Sequence, residues 1–295
     1  MAFVGCLKVM EDRGLLKEVK EVVGASAGSL LALMLVLGFN VEEISDFMRR
    51  KVNTEKGLRV SLKDIWKITE TFGIDDGESV FELIYAILEY KMVDRDITFI
   101  DLAKLTGKNL VIAVGNVNKE RLEFMSVDSV PTMEVSKAIR ACTSVPVLYQ
   151  PVLHNEEYYV DSLFFNNFPI DFFKEWSVKH HTIGLNIVVR KEKIGSIWDY
   201  FRNLFQGTVR HSHMESNQHH MVCEVDCTEF PNFDVRNMRF DLSVENLDNL
   251  QSAGERSAEE FCDLYNSTIV SEIYEAPPPY VHLERPAFLG SRCSP

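Results

Sequence analysis

Val22-Val23-Gly24-Ala25-Ser26-Ala27-Gly28-Ser29-Leu30-Leu31 decides how this chain is read. Two β-branched residues end a buried strand, small residues make a turn, and an apolar helix begins. Gly24, Ala25, Ala27 and Gly28 let the backbone turn sharply around Ser26, glycine having no Cβ to clash. The Ser26 hydroxyl then stands at the tip of the turn, near the positive end of the helix dipole. That is the geometry of a nucleophile elbow. As a bare pattern G-x-S-x-G is weak, so its neighbours in the chain must carry it. The same glycines do not make a phosphate loop, because Gly24-x-x-x-Gly28 is not followed by the lysine such a loop needs.

The 295 residues are 46% hydrophobic and 25% charged, which is globular composition with chain enough for a large core. A net charge of −13 and no basic block argue against nucleic acid as a partner. The same charge means that contact with an anionic membrane needs an apolar patch rather than electrostatic attraction. Arg49-Arg50-Lys51 reads as favourable charge at a helix C-terminus. Six scattered cysteines and no leader-like apolar run at Met1 predict reduced thiols in the cytoplasm, with any membrane or lipid-droplet association peripheral. Val22 to Phe39 is uncharged for eighteen residues, the lower limit for a membrane span. A strand, turn and buried helix use its glycines and serines, whereas a span only tolerates them, so the soluble reading is preferred.

Outward from the elbow, Ala2 to Leu15 predicts a first helix and Glu18 to Val23 the strand before the turn. Leu30 to Leu37 is apolar all round and should be buried on most sides. Asn40 with Glu43 forms a capping-box pair for a helix running to Val52. A helical insertion spans about 53–93: one helix starts at Ser61 and Asp64 and ends near Gly73, and another covers Glu78 to Lys91. Phe72, Val80, Phe81, Ile84 and Tyr85 are too many apolar groups for one helix face, which suggests an acyl-chain pocket or lid. Strands follow at Asn109 to Gly115, Leu122 to Ser126, Glu157 to Val160, Thr182 to Val189 and Val222 to Cys227. Helices are expected at Thr98–Leu105, Met133–Cys142, Ser196–His220 and Val244–Ser271. Strands alternating with helices predict an α/β fold, with a mostly parallel sheet covered by helices on both faces.

A serine nucleophile needs a base and an oxyanion hole. Only twenty-five residues precede Ser26, too few for the strands that lead up to the elbow of an α/β-hydrolase. A dyad, in which a carboxylate takes the serine proton directly, fits better. Asp161 is the candidate base, since it follows Tyr158-Tyr159-Val160 and would sit at the C-terminal edge of a strand.

These stretches resemble the patatin-like phospholipases, a family of lipid acyl hydrolases. Gly5-Cys6-Leu7-Lys8-Val9-Met10-Glu11 through Gly14-Leu15-Leu16 is similar to the family's first helix, and Gly24 to Ser29 to its elbow. Ala138-Ile139-Arg140-Ala141-Cys142 through Val145-Pro146, then Tyr159-Val160-Asp161 and Asn166 to Pro169, resemble the segment around its aspartate, and Thr106 to Leu110 fits as well. The similarity covers about residues 1–175, read as a catalytic core, with 176–275 continuing the same domain and 276–295 a disordered tail. The resemblance implies a patatin-like three-layer fold, Ser26 as nucleophile and Asp161 as base. The implied substrates are ester bonds of phospholipids or acylglycerols, reached by transient contact with a membrane surface and cleaved without metal or organic cofactor.

Two departures from the family's pattern shape the expectations. The family's glycine-rich oxyanion loop precedes its first helix, and Met1 falls at the start of that helix here. Strand and loop are therefore expected to be missing unless Met1 is not the true start, which leaves the Ala27 amide as the main oxyanion donor. That expectation keeps a second function class in play, an inactive patatin-like module that binds lipid or protein. Ser162 stands where the family usually has glycine, so its Cβ is expected to restrict the turn.

Two further signals are set against blander readings. His211, His213, His219 and His220 near Cys223 and Cys227 lack a recognisable zinc spacing, and the two cysteines read as core. Pro277-Pro278-Pro279-Tyr280 matches the P-P-x-Y pattern read by WW domains, although a solvated tail is the commoner role of such a segment.

Overall fold

The computed structural model describes residues 1–52, 65–166, 168–173, 181–188, 221–227 and 243–274. The helix expected at Ser196–His220 with its histidines, the start of the helix at Ser61 and Asp64, and the Pro277–Tyr280 motif lie outside them.

The architecture is the three-layer α/β one expected, a central sheet with helices packed on it. Its first unit is α1 (Ala2–Asp12), β1 (Glu21–Ala25), α2 (Gly28–Val36) and α3 (Val41–Val52). Next come α4 (Ile65–Thr71), β2 (Gly73–Asp75), α5 (Glu78–Tyr90), α6 (Phe99–Thr106), β3 (Asn109–Asn116) and β4 (Arg121–Met125). After α7 (Val135–Cys142) the chain makes three short strands, β5 (Val147–Tyr149), β6 (Val152–His154) and β7 (Glu157–Asp161). It closes with β8 (Ile183–Val188), β9 (Met221–Asp226) and the long helix α8 (Val244–Tyr274).

Local signals explain most boundaries. The amide of Asn40 donates to Glu43 Oε2 at 2.9 Å and the Glu43 amide donates back to Asn40 Oδ1 at 2.8 Å, the reciprocal box that starts α3. The α1 helix stops at Asp12, short of the expected Leu15, and Gly14 follows in the left-handed region. The first helix of the insertion ends at Thr71 rather than near Gly73, because Gly73 already belongs to a strand, β2, that pairs in parallel with β5. On α5, Ile84, Ile87 and Leu88 are buried and Val80 and Leu83 pack partly against the core, the apolar stripe that its spacing predicts.

Strand β3 is the axis of the sheet and is buried along nearly its whole length. It pairs in parallel with β1, from Glu21↔Asn109 to Ala25↔Ala113. It pairs antiparallel with β4 over Ile112 to Asn116, and antiparallel with β7 over Val114 to Asn116. The expected predominance of parallel pairing is corrected here. Of the described pairings, β1–β3, β2–β5 and β8–β9 are parallel, while β3–β4, β3–β7 and β6–β7 are antiparallel. For β3–β4 and β6–β7 connection length is the reason, since loops of four and two residues can only return a strand antiparallel. Asn155 and Glu156, both at positive φ, make a two-residue hairpin between β6 and β7.

One buried cluster fills the space between β3 and helices α2, α5 and α7, with Leu33, Met34, Ile84, Ile112, Val114 and Ile139 among its members. A second joins α1, β9 and α8, where Cys6, Cys223, Cys227 and Cys262 are buried with Met10 and Val225. The reading of Cys223 and Cys227 as core residues holds. Leu185 of β8 and Leu16 touch both clusters and so join them.

Candidate active site

Positions on β3 bring the site together. Each residue of a strand has one neighbour on each edge, and β4 occupies one edge of β3 at Ile112 to Asn116. The other edge is shared: β1 covers it up to Ala113, and β7 covers it from Asn116 back to Val114. The two strands run towards each other, and their C-terminal ends meet between Ala113 and Val114. Ser26 follows the last residue of one, and Asp161 is the last residue of the other.

The two functional groups therefore touch. Ser26 Oγ donates to Asp161 Oδ2 at 2.6 Å, across 135 residues of sequence. Ser26 itself is at φ 49°, the left-handed region that a non-glycine residue seldom occupies. Its carbonyl accepts from the Ser29 amide at 2.9 Å and from Ser29 Oγ at 2.6 Å, and its amide donates to Cys142 Sγ at 2.9 Å. Ser26 is only partly buried, so the hydroxyl is within reach of a substrate.

The two glycines of the elbow do different work. A Cβ on Gly24 would lie 2.5 Å from the Ser29 Cα and 2.9 Å from the Ala32 Cβ, so only glycine lets α2 pass this close to β1. A Cβ on Gly28 would meet nothing within 4 Å, and its backbone is not in the left-handed region. Ala25 ends β1, and Ala27 is exposed at the N-terminus of α2, where the first amides of the helix point outward.

Asp161 is fully buried. Its Oδ1 accepts from the Leu163 amide at 2.8 Å, which caps a short 3-10 turn over Ser162–Phe164, and its own amide donates to the Ser144 carbonyl at 2.9 Å. Burial pushes its carboxyl up from the ordinary 3.8 to about 6, against the pull of the hydrogen bonds from Ser26 and Leu163. Burial, and then the neighbouring Asp161 charge, push the Cys142 thiol up as well, so its sulfur stays protonated and neutral.

Ser162 does not restrict the turn as expected. It is not in the left-handed region, and its carbonyl accepts from the Phe165 and Asn166 amides at 2.8 and 2.7 Å. Its buried hydroxyl has no hydrogen-bond partner among the described residues.

The end of α7 and the loop after it support both halves of the site. Arg140, almost fully buried, donates to the carbonyls of Asp76 at 2.8 Å and Gln150 at 3.1 Å and to Ser144 Oγ. It thereby ties the junction of β2 and α5 to the loop that carries Ser144, whose carbonyl holds Asp161. The sequence singled out Arg140 and Cys142 only as part of a resemblance. A buried arginine four residues before a serine is the signal that could have marked a brace there.

Residues 1–174, more than half of the chain, match the family described as Patatin-like phospholipase. The chain belongs to that family. Among curated proteins it is 27% identical over 270 residues to the uncharacterized protein R571 of Acanthamoeba polyphaga mimivirus, covering 88% of each chain. It is 24% identical over 185 residues to the probable lipid hydrolase 463L of Invertebrate iridescent virus 6, covering 62% of this chain and 59% of that one. Among solved structures it resembles VipD from Legionella pneumophila with a TM-score of 0.54 and 14% identity, covering 90% of this chain and 64% of that one. The chain thus spans less than two thirds of both 463L and VipD. The VipD likeness shows the fold. Among the described residues no helix is long and apolar enough to cross a membrane, and no group of three or more His, Cys, Asp or Glu could hold a metal ion.

Proposed function

We propose that this patatin-like protein is a serine lipid acyl hydrolase that cleaves ester bonds of phospholipids or acylglycerols through a Ser26–Asp161 dyad. The observation that carries the reading is the 2.6 Å hydrogen bond from Ser26 Oγ to a fully buried carboxylate. Family membership and the resemblance to a probable viral lipid hydrolase support a lipid as the substrate.

The chemistry follows from the geometry. Ser26 Oγ attacks the ester carbonyl carbon while Asp161 Oδ2 takes its proton, and the carbonyl oxygen becomes an oxyanion. The amide of Ala27, an exposed residue at the positive end of α2, is the donor assigned to that oxygen. Collapse of the intermediate breaks the C–O bond, and protonated Asp161 gives its proton to the departing alcohol. Water then enters, Asp161 removes one of its protons, and as the acyl-enzyme breaks down to free fatty acid Asp161 returns that proton to Ser26 Oγ. A base near 6 suits this cycle, since it is ionised at neutral pH and still basic enough to take a proton.

A net charge of −13 leaves apolar contact as the route to a lipid surface. Phe72, Val147 and Leu153 supply exposed apolar groups, and Val147 follows the Ser144 loop by three residues. The test is a soluble fluorogenic ester together with a serine-directed fluorophosphonate. Wild type should turn over the ester and label at Ser26, and Ser26→Ala should do neither. Equal ester rates for the two proteins would sink the dyad, and a silent wild type would favour a binding module instead.

A further inference from the structure

The Ser26 backbone is held in a conformation that a serine adopts at a cost, and it does not hold itself there. Three groups grip it. Ser29 Oγ and the Ser29 amide, both from the first turn of α2, bind its carbonyl. The third group comes from another element: Cys142, the last residue of α7, takes the Ser26 amide on its Sγ at 2.9 Å, and the same sulfur lies 3.9 Å from the Ser26 carbonyl oxygen. Cys142 is fully buried. Without it the Ser26 amide would lose its acceptor on the side of the turn that packs against a fully buried side chain, an arrangement that folded chains avoid.

We infer that Cys142 is a positioning residue for the hydrolysis proposed above: its thiol fixes the left-handed turn of Ser26 and so aims Oγ at Asp161. The inference rests on the dyad reading. The brace is well placed for that task because the segment from Cys142 to Ser144 touches both partners. Cys142 Sγ holds the Ser26 amide, and two residues later the Ser144 carbonyl holds the Asp161 amide at 2.9 Å. Nucleophile and base are thus both referenced to the C-terminal end of one helix. A neutral thiol also suits the site, because a thiolate there would add a second negative charge beside the Asp161 carboxylate. The predicted loss follows from geometry, since displacing a reacting atom by about an ångström costs up to ~10²-fold in rate.

The experiment compares Cys142→Ser, Cys142→Val and Cys142→Ala with wild type on the soluble fluorogenic ester, with a melting curve for each. Serine keeps a group that both accepts and donates, while valine fills similar space without either ability. Valine and alanine should lower kcat by about tenfold or more with KM little changed, and serine should stay within about threefold of wild type. A second readout separates aiming from mere packing. The Ser26 hydrogen bond helps to hold the Asp161 carboxyl down, so loosening it should move the acid limb of the kcat profile to higher pH in the valine and alanine variants, but not in the serine one.

Unchanged kcat and acid limb in folded Cys142→Val would overturn the inference, as would equal losses in the serine and valine variants. Should the alanine variant fail to fold, the serine–valine pair still decides. A wild type that neither hydrolyses the ester nor labels at Ser26 would remove the dyad and the brace together, whereas an active wild type with indifferent Cys142 variants would remove the brace alone.

Discussion

The two halves of the site are built on opposite principles. Ser26 stands in a strained turn, partly open to solvent, with φ at 49° and a glycine beside it that no other residue could replace without moving α2. Asp161 stands at the end of a regular strand, in ordinary backbone conformation, with its cost in burial rather than torsion. Ser26 is partly open and its backbone constrained; Asp161 is relaxed and its charge confined. Each half carries its destabilisation in a different form, so substitutions on the two sides should have different signatures.

The largest effect should come from removing the confined charge. Asp161→Asn keeps the shape but cannot accept a proton, and kcat should fall by about 10²–10⁴-fold. The same variant should be more stable than wild type at pH 8. The sign follows from the carboxyl's rise from 3.8 to about 6. Below 3.8 folded and unfolded chains are both protonated there, and no penalty exists. Between 3.8 and 6 the unfolded chain ionises first, so folded wild type loses stability as pH rises, up to ~3 kcal/mol above pH 6. Denaturant unfolding at pH 8 and pH 4 should therefore show the Asn variant's advantage at the higher pH and its loss at the lower. For wild type, kcat should fall about tenfold per pH unit below 6, and a rate flat from pH 5 to pH 8 would remove Asp161 as the base.

Next in size is the constrained backbone. Gly24→Ala should cost about 1–3 kcal/mol, because the new methyl collides with α2 backbone that is packed on the sheet. Gly28→Ala, with open space at its Cβ, should shift stability by less than about 1 kcal/mol. Comparable melting temperatures for these two variants would erase the distinction between the elbow's glycines.

Smallest is the residue next to the base. Ser162→Ala removes a buried hydroxyl that has no partner among the described residues, and a gain of ~1 kcal/mol in unfolding free energy is expected. A loss of that size would mean that the hydroxyl is satisfied and that the Asp161 turn is tighter than its backbone angles indicate.

Sequence reading served these two halves unequally. The elbow is legible because its signal is local: β-branched strand residues, small turn residues and an apolar helix within ten positions. Asp161 is legible as the end of Tyr158-Tyr159-Val160, although for a partly mistaken reason, since its strand returns antiparallel from a hairpin rather than lying in a parallel sheet. Nothing local announces β2, β5 or β6. Three residues are too few to show a period of two, and Gly73 reads more readily as a helix stop than as a strand residue. The Asn155-Glu156 hairpin carries no glycine, the usual sign of such a turn. Cys142 escaped because its contact with Ser26 spans 116 residues of sequence and exists only once α7 has packed against the elbow.

The shared edge of β3 makes the distance between Ser26 and Asp161 a matter of phase. Ser26 and Asp161 hang from strands that are counted off the same eight residues, one from each end. Insertion or deletion of a single residue at the Ala113–Val114 boundary would leave both ladders intact, yet slide them apart or together by one pleat and turn one side chain to the opposite face. The span of β3 cannot lengthen or shrink without disturbing that distance, and descendants of this sequence should vary its side chains long before they vary its length.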